Sequence, residues 1–179
     1  TGFCCVNDLL WRKTVPPAKS SINILVCDDD PVDRKLVKAY IRKIRDRHIS
    51  LHEAGNLNEI SQALRAKDFD LVLMDIQMPE RSGLDWLEEI NRNENLPVIM
   101  LTGHGSEELA VRAMMHGATG YLVKNNLSAE KLRCTIDNAL AKWNRLQEEE
   151  SYKQEMESMA NVDPLTGLFN RHALLRLLK

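Results

Sequence analysis

Cysteine is scarce in this chain of 179 residues, four in all, and its placement excludes more than its number does. Cys4 and Cys5 are adjacent, Cys27 sits in an apolar run and Cys134 in a helical pattern. That spacing gives neither a disulfide framework nor a paired set of metal ligands. An excess of one charge is lacking too, since 24 Lys and Arg against 26 Asp and Glu leave a formal net charge of −2. No nucleic-acid or membrane surface is expected from that balance. No apolar run approaches the roughly 18 residues of a membrane span. The first residues carry no basic segment followed by a long apolar one, so no signal peptide is expected and the cytoplasm is the expected compartment. Internal repeats and low-complexity segments are absent. What remains, 44% hydrophobic and 28% charged, is a soluble globular composition, long enough for one ordinary domain and an extension.

The most informative stretch runs from Leu71 to Gly83, L-V-L-M-D-I-Q-M-P-E-R-S-G. Four apolar residues without helical spacing, ending in Asp75, read as a strand buried on both faces of a parallel sheet. Met78-Pro79 forces an extended turn and Gly83 lets the chain enter a helix. The pattern repeats along the chain. Ile22–Cys27 is a strand followed by Asp28-Asp29-Asp30-Pro31, in which Asp30 caps a helix that Pro31 begins and that carries apolar residues as far as Ile44. Ile49–Ala54 is a short strand, and Asn56 with Glu59 forms a capping box for a helix with Ile60, Ala63 and Leu64 inward. After the Leu71–Asp75 strand comes a helix around Leu84–Asn91. Pro97–Leu101 is a strand ending at Thr102, and Ser106 caps the next helix. Thr119–Val123 is a strand ending at Lys124, and Ser128 caps a last, long helix. Five strands alternating with five helices predict an α/β doubly wound parallel sheet of flavodoxin-like order 2-1-3-4-5.

In such a sheet the residues following each strand share one edge. Asp28 and Asp29, Asp75, Thr102 and Lys124 therefore converge from four segments. Carboxylates a few ångströms apart repel one another and raise each other's pKa, which a hard divalent cation relieves. Mg²⁺ suits one or two carboxylates, a carbonyl and waters. Asp29 and Asp75 are the expected direct ligands, with Asp28 through water and the Gln77 backbone carbonyl as the third protein ligand. Asp75 would then act as a carboxylate nucleophile toward a phosphoryl group, with Lys124 and the Thr102 hydroxyl on the transferring oxygens.

The set Asp28-Asp29, D-I-Q-M-P-E-R-S-G, L-T-G and G-Y-L-V-K resembles the receiver domains of two-component response regulators, over roughly residues 22–143. The resemblance implies that Asp75 accepts phosphate from a sensor histidine kinase or phosphotransfer protein. It makes Thr102 the switch hydroxyl, and Tyr121 either its aromatic partner, rotating inward, or a half-exposed strand aromatic. Gln77 and His104 would flank the phosphoryl site and tune phosphate lifetime. The family usually has proline after the lysine, whereas Asn125 follows Lys124 here. A cis bond before Asn costs roughly 2.5–4 kcal/mol, so the resemblance does not fix the loop geometry after Lys124.

Beyond Ser128 the helical pattern overruns the receiver. Trp143, Leu146, Tyr152, Met156 and Met159 continue an apolar stripe, and neither Gly nor Pro occurs between Gly120 and Pro164. A stripe of that length predicts a parallel homodimeric coiled coil over residues 144–162. Residues 163–171, D-P-L-T-G-L-F-N-R, resemble the entry motif of GGDEF domains, the diguanylate cyclases that make cyclic di-GMP. No GG[DE]EF sequence is present, and residues 163–179 are too few for a nucleotide-binding domain, so this chain by itself is not expected to be the enzyme. The expectation is a receiver (22–143) behind a tail and linker (1–21), controlling a GGDEF output in a parent protein. A stand-alone phosphorelay or adaptor protein is the alternative.

Overall fold

The computed structural model describes residues 21–79, 81–103 and 107–161. The expected amino-terminal helix around Val6–Lys13, His104, the Ser106 cap and the motif at 163–171 lie outside the described residues. In chain order the elements are β1 (Ser21–Cys27), α1 (Pro31–Ile41), β2 (His48–Ala54), α2 (Leu57–Ala66), β3 (Leu71–Asp75), α3 (Gly83–Asn93), β4 (Val98–Thr102), α4 (Glu107–Met115), β5 (Gly120–Val123) and α5 (Ala129–Asn161). The sheet is parallel throughout, in the order β2-β1-β3-β4-β5. This is the flavodoxin-like winding expected from the alternation of apolar runs and helical patterns.

The helix starts follow from local chemistry. The Asp30 carboxylate accepts from the Val32 N–H at 2.7 Å, with Pro31 in the first turn, where its missing N–H costs nothing. The Asn56 side chain accepts from the Glu59 N–H at 3.0 Å, while Glu59 reaches back to the Gly55 N–H at 2.7 Å. Ser128 Oγ accepts from the Lys131 N–H at 3.2 Å at the head of α5. Most boundaries shift by a residue or two, and the end of α1 shifts most. The apolar spacing carries α1 to Ile44, yet the helix stops at Ile41, and the Lys43 and Ile44 N–H groups bond three residues back, to Tyr40 and Ile41, in a tightened final turn. Ile44 is still buried, so it kept its place in the core while leaving the helix.

Strand alternation sorts the core into two faces. Leu25, Cys27, Val72, Met74, Val98 and Met100 join one apolar cluster, together with Ile60 of α2, Leu87 and Ile90 of α3, and Ala113 of α4. Their neighbours Ile24, Val26, Leu71, Leu73, Ile99 and Leu101 join the other, with Val37 and Ile41 of α1 and Leu132 and Ile136 of α5. Continuing the two-residue period past the strand ends puts Asp28, Asp75 and Lys124 on the α1/α5 side. Thr102 and Tyr121 fall on the α2/α3/α4 side, where Tyr121 packs against the first cluster.

The chain divides into two compact units, Thr1–Ala141 and Lys142–Lys179. In the second, the described helical residues leave Leu146, Tyr152 and Met156 exposed at 46%, 61% and 49%. Among the described residues no helix is long and apolar enough to cross a membrane.

Candidate functional site

Register brings the acidic residues together. Cys27 pairs with Met74, so the next residues of those two strands, Asp28 and Asp75, stand abreast, and Leu101 lies beside Asp75 on the other side. The Asp28 N–H donates to the Ala54 carbonyl at 3.1 Å and the Ile76 N–H to the Leu101 carbonyl at 3.0 Å, so each turn begins while still tied to the sheet. Asp28 and Asp75 are buried and Asp29 is exposed, and one carboxylate oxygen from each lies within 4.8 Å of the others.

Lys124 closes the site. Its ammonium lies 3.0 Å from Asp75 Oδ2, 2.7 Å from Asp33 Oδ2 and 2.6 Å from Asp28 Oδ2. Burial alone would pull the Lys124 pKa down, but the three carboxylates more than offset it and hold it above the ordinary lysine value. Asp28 moves the other way from a typical paired carboxylate. Burial pushes its pKa up and outweighs the downward pull of Lys124 and of the Asp30 N–H, while the Asp75 charge adds to the rise. The other oxygen of Asp75, Oδ1, is buried without a hydrogen-bond partner among the described residues. An acceptor of that kind, beside two more carboxylates, fits a hard cation better than it fits any neighbouring donor.

The remaining expected residues are placed as follows. Thr102 is buried at the end of β4. Gln77 lies two residues past Asp75 with an exposed side chain. The Tyr121 ring is half-buried and its hydroxyl is enclosed without a hydrogen-bond partner among the described residues. After Lys124 the chain makes one 3₁₀ turn, Lys124–Asn126, and no described peptide bond is cis. Asn125 does something proline cannot, since its Nδ2 donates to the Gly103 carbonyl at 2.6 Å, joining the segment after Thr102 to the turn after Lys124.

Reading strand ends alone misses Asp33. It lies in the first turn of α1, where an acidic residue is ordinary, and only the strand alternation that turns Lys124 toward α1 signals its part in the cluster.

The raised Asp28 pKa gives a pH prediction. A carboxyl raised on folding favours the folded state below its unfolded pKa, and that contribution is lost as pH rises through the folded value. Ionised Asp28 therefore costs stability at neutral pH, and a Mg²⁺ ion held there would offset that cost. Mg²⁺ should raise the melting temperature most near about pH 8, with the increment shrinking toward about pH 5 as protons compete for the same oxygens. Scanning calorimetry at fixed Mg²⁺ checks this, and an increment independent of pH would remove Asp28 from the metal site.

Known proteins match this arrangement. The response regulator receiver domain family matches residues 24–137. The transcriptional regulatory protein ZraR of Klebsiella oxytoca is 39% identical over 121 residues, covering 67% of this chain and 26% of ZraR. The regulatory protein LuxO of Vibrio cholerae serotype O1 is 31% identical over 108 residues, 60% of this chain and 24% of LuxO. A response regulator receiver domain protein from Clostridium thermocellum superposes with a TM-score of 0.60 at 31% identity, over 70% of this chain and 98% of that one. The chain thus spans about a quarter of the length of these curated relatives, and no GGDEF domain is shown by them. Receiver domains bind Mg²⁺ in an acidic pocket and interact with histidine kinases or phosphotransfer proteins. With the family match covering well over half of its length, and with clustered aspartates and a lysine at the carboxyl edge of a 2-1-3-4-5 sheet, this chain belongs to the response regulator receiver domain family.

Proposed function

We propose that this chain is a phosphoacceptor that takes a phosphoryl group on Asp75 from a histidine kinase or phosphotransfer protein and passes its state to a carboxyl-terminal output. The observation that carries the reading is the split environment of the Asp75 carboxylate. Lys124 holds Oδ2 at 3.0 Å, while Oδ1 is buried with no donor among the described residues. Asp28, Asp29, Asp75 and the Gln77 backbone carbonyl would hold Mg²⁺, which supplies positive charge to the transferring phosphoryl oxygens when bound. An Asp75 oxygen attacks phosphorus, the bond from phosphorus to the donor atom breaks, and the electron pair leaves with the donor. Lys124 balances charge on a phosphoryl oxygen, and Thr102 supplies a hydroxyl to another. Tyr121 then follows Thr102 on the same face of the sheet, since its hydroxyl has no partner to give up among the described residues.

Incubation with phosphoramidate and Mg²⁺ tests the acceptor. Wild type should gain the mass of one phosphoryl group and Asp75→Asn none; a wild type that gains none sinks the proposal. For the output, the motif at 163–171 supports a GGDEF domain in the parent protein. The exposed Leu146, Tyr152 and Met156 support a homodimeric coiled coil over 144–162 as the transmitting element. Light scattering with and without a phosphoryl mimic checks it, and a monomer in both states removes the coiled coil.

A further inference from the structure

We propose that Asp33 is a positioning residue that anchors the Lys124 ammonium beside Asp75 while the other two carboxylates around it change partners. The proposal rests on Asp75 being the phosphoacceptor.

Three carboxylates touch Lys124 Nζ, and they are not equivalent. Asp28 and Asp75 belong to the trio that comes within 4.8 Å with Asp29, so a cation or a phosphoryl group in the site engages the same two carboxylates that hold the ammonium. Asp33 stands outside that trio. It reaches Nζ at 2.7 Å from α1, across 91 residues of sequence, with its side chain 31% exposed against 0% for Asp28 and 7% for Asp75. Of the three contacts, the one to Asp33 alone can persist unchanged when both others are remade.

The ordinary explanation for an acidic residue in a first helical turn does not account for that geometry. Helix capping in α1 is done by Asp30, whose carboxylate takes the Val32 N–H. The reciprocal site, the Asp30 N–H, to which a side chain at the third helical position often returns, is taken by Asp28 Oδ1 at 3.0 Å. The Asp33 carboxylate is thus left to point at Lys124. It also has company in fixing the lysine, because the following turn is tied through Asn125 to Gly103. The Lys124 side chain and the Asn125 side chain next to it are thus each tied, through Asp33 and Gly103, to a residue outside the set of metal ligands.

An ammonium on a flexible four-carbon stem loses catalytic value when its position is not fixed. The test is the rate of phosphoryl uptake from phosphoramidate at saturating Mg²⁺, in wild type, Asp33→Asn, Asp33→Glu and Lys124→Met, with Mg²⁺ affinity from calorimetry and urea midpoints alongside. Asp33→Asn keeps the shape and removes the charge. It should lower the maximal uptake rate about tenfold, with half-saturation for the donor and Mg²⁺ affinity each within about threefold of wild type. Asp33→Glu should recover most of the loss. In the Lys124→Met background, Asp33→Asn should change neither the uptake rate nor the urea midpoint further. An unchanged rate in Asp33→Asn overturns the proposal, and so does a loss that recurs in the Lys124→Met background, which would mean that Asp33 serves only the start of α1. A wild type that takes up no phosphoryl group removes the acceptor reading itself. The urea midpoints then decide whether Asp33 and Lys124 act as one unit, and independent effects there overturn the anchoring as well.

Discussion

Gly83→Ala should destabilise the domain by about 3 kcal/mol and weaken Mg²⁺ binding about tenfold. A Cβ on Gly83 would stand 2.0 Å from the Asp75 carbonyl oxygen and 2.9 Å from its carbon. Both are backbone atoms, so no side-chain rotation relieves the overlap. The approach is fixed from both sides, since the Gly83 N–H donates to the Ile76 carbonyl at 3.0 Å and α3 is held in the core by Leu84, Leu87 and Ile90. What must give is the peptide chain between Asp75 and Ser82, which carries the Gln77 carbonyl. Gly103→Ala is the matched control, because a Cβ there meets none of the described residues within 4 Å, and it should stay within about 0.5 kcal/mol of wild type. Urea unfolding and calorimetric Mg²⁺ titration of both variants decide the matter. A Gly83→Ala protein as stable as the Gly103→Ala control would show that the backbone yields there at little cost.

That close approach also explains how much of the site was legible in the sequence. The run L-V-L-M-D announces a doubly buried strand ending in an acid, and the structure has Leu71–Asp75 buried throughout. Gly83 could be read as a helix entry, but the reason that only glycine fits, a helix start lying directly on the end of β3, is a tertiary distance with no local signature. Asp28, Asp29, Asp75 and Lys124 were legible because each follows an apolar strand, and parallel pairing does the rest. Asp33 and Asn125 were not, for two different reasons. Asp33 reads as a favourable charge in a first helical turn, and its contact depends on which face of the sheet Lys124 takes. Asn125 could be seen as a departure from proline, yet nothing in its neighbours names the Gly103 carbonyl as its partner. The end of α1 was misplaced because Ile44 keeps helical spacing and is buried, so the core would accept either a continued helix or the turn that is there.

Lys124→Met should have the largest combined effect, because the lysine is the counter-charge of the resting site and, in the function proposed above, would also hold the transferred group. Methionine fills much of the same volume without charge. The variant leaves Asp28 and Asp75 buried with no cation, and removing one partner of a buried ion pair costs about 3 kcal/mol or more. The pH dependence follows from the directions of the shifts. In wild type the Lys124 pKa is raised, so its contribution is complete below the ordinary lysine value and is lost only as pH climbs past the folded one. Wild type therefore keeps this stabilisation across the neutral range. In the variant the downward pull on Asp28 disappears while burial continues to push its pKa up. A carboxyl raised in this way favours folding in acid and opposes it as pH rises through the folded value, so the stability deficit should be widest near about pH 8 and narrow toward about pH 5. Mg²⁺ replaces part of the missing charge, and the melting temperature of the variant should respond to it more steeply than that of wild type. Phosphoryl uptake should nevertheless stay about 10²-fold below wild type at saturating Mg²⁺, since the metal restores stability but not the ammonium beside the phosphoryl oxygens. Thermal unfolding across pH with and without Mg²⁺, read together with uptake from phosphoramidate, separates the two roles. Recovery of uptake along with stability would mean that Lys124 serves the fold alone.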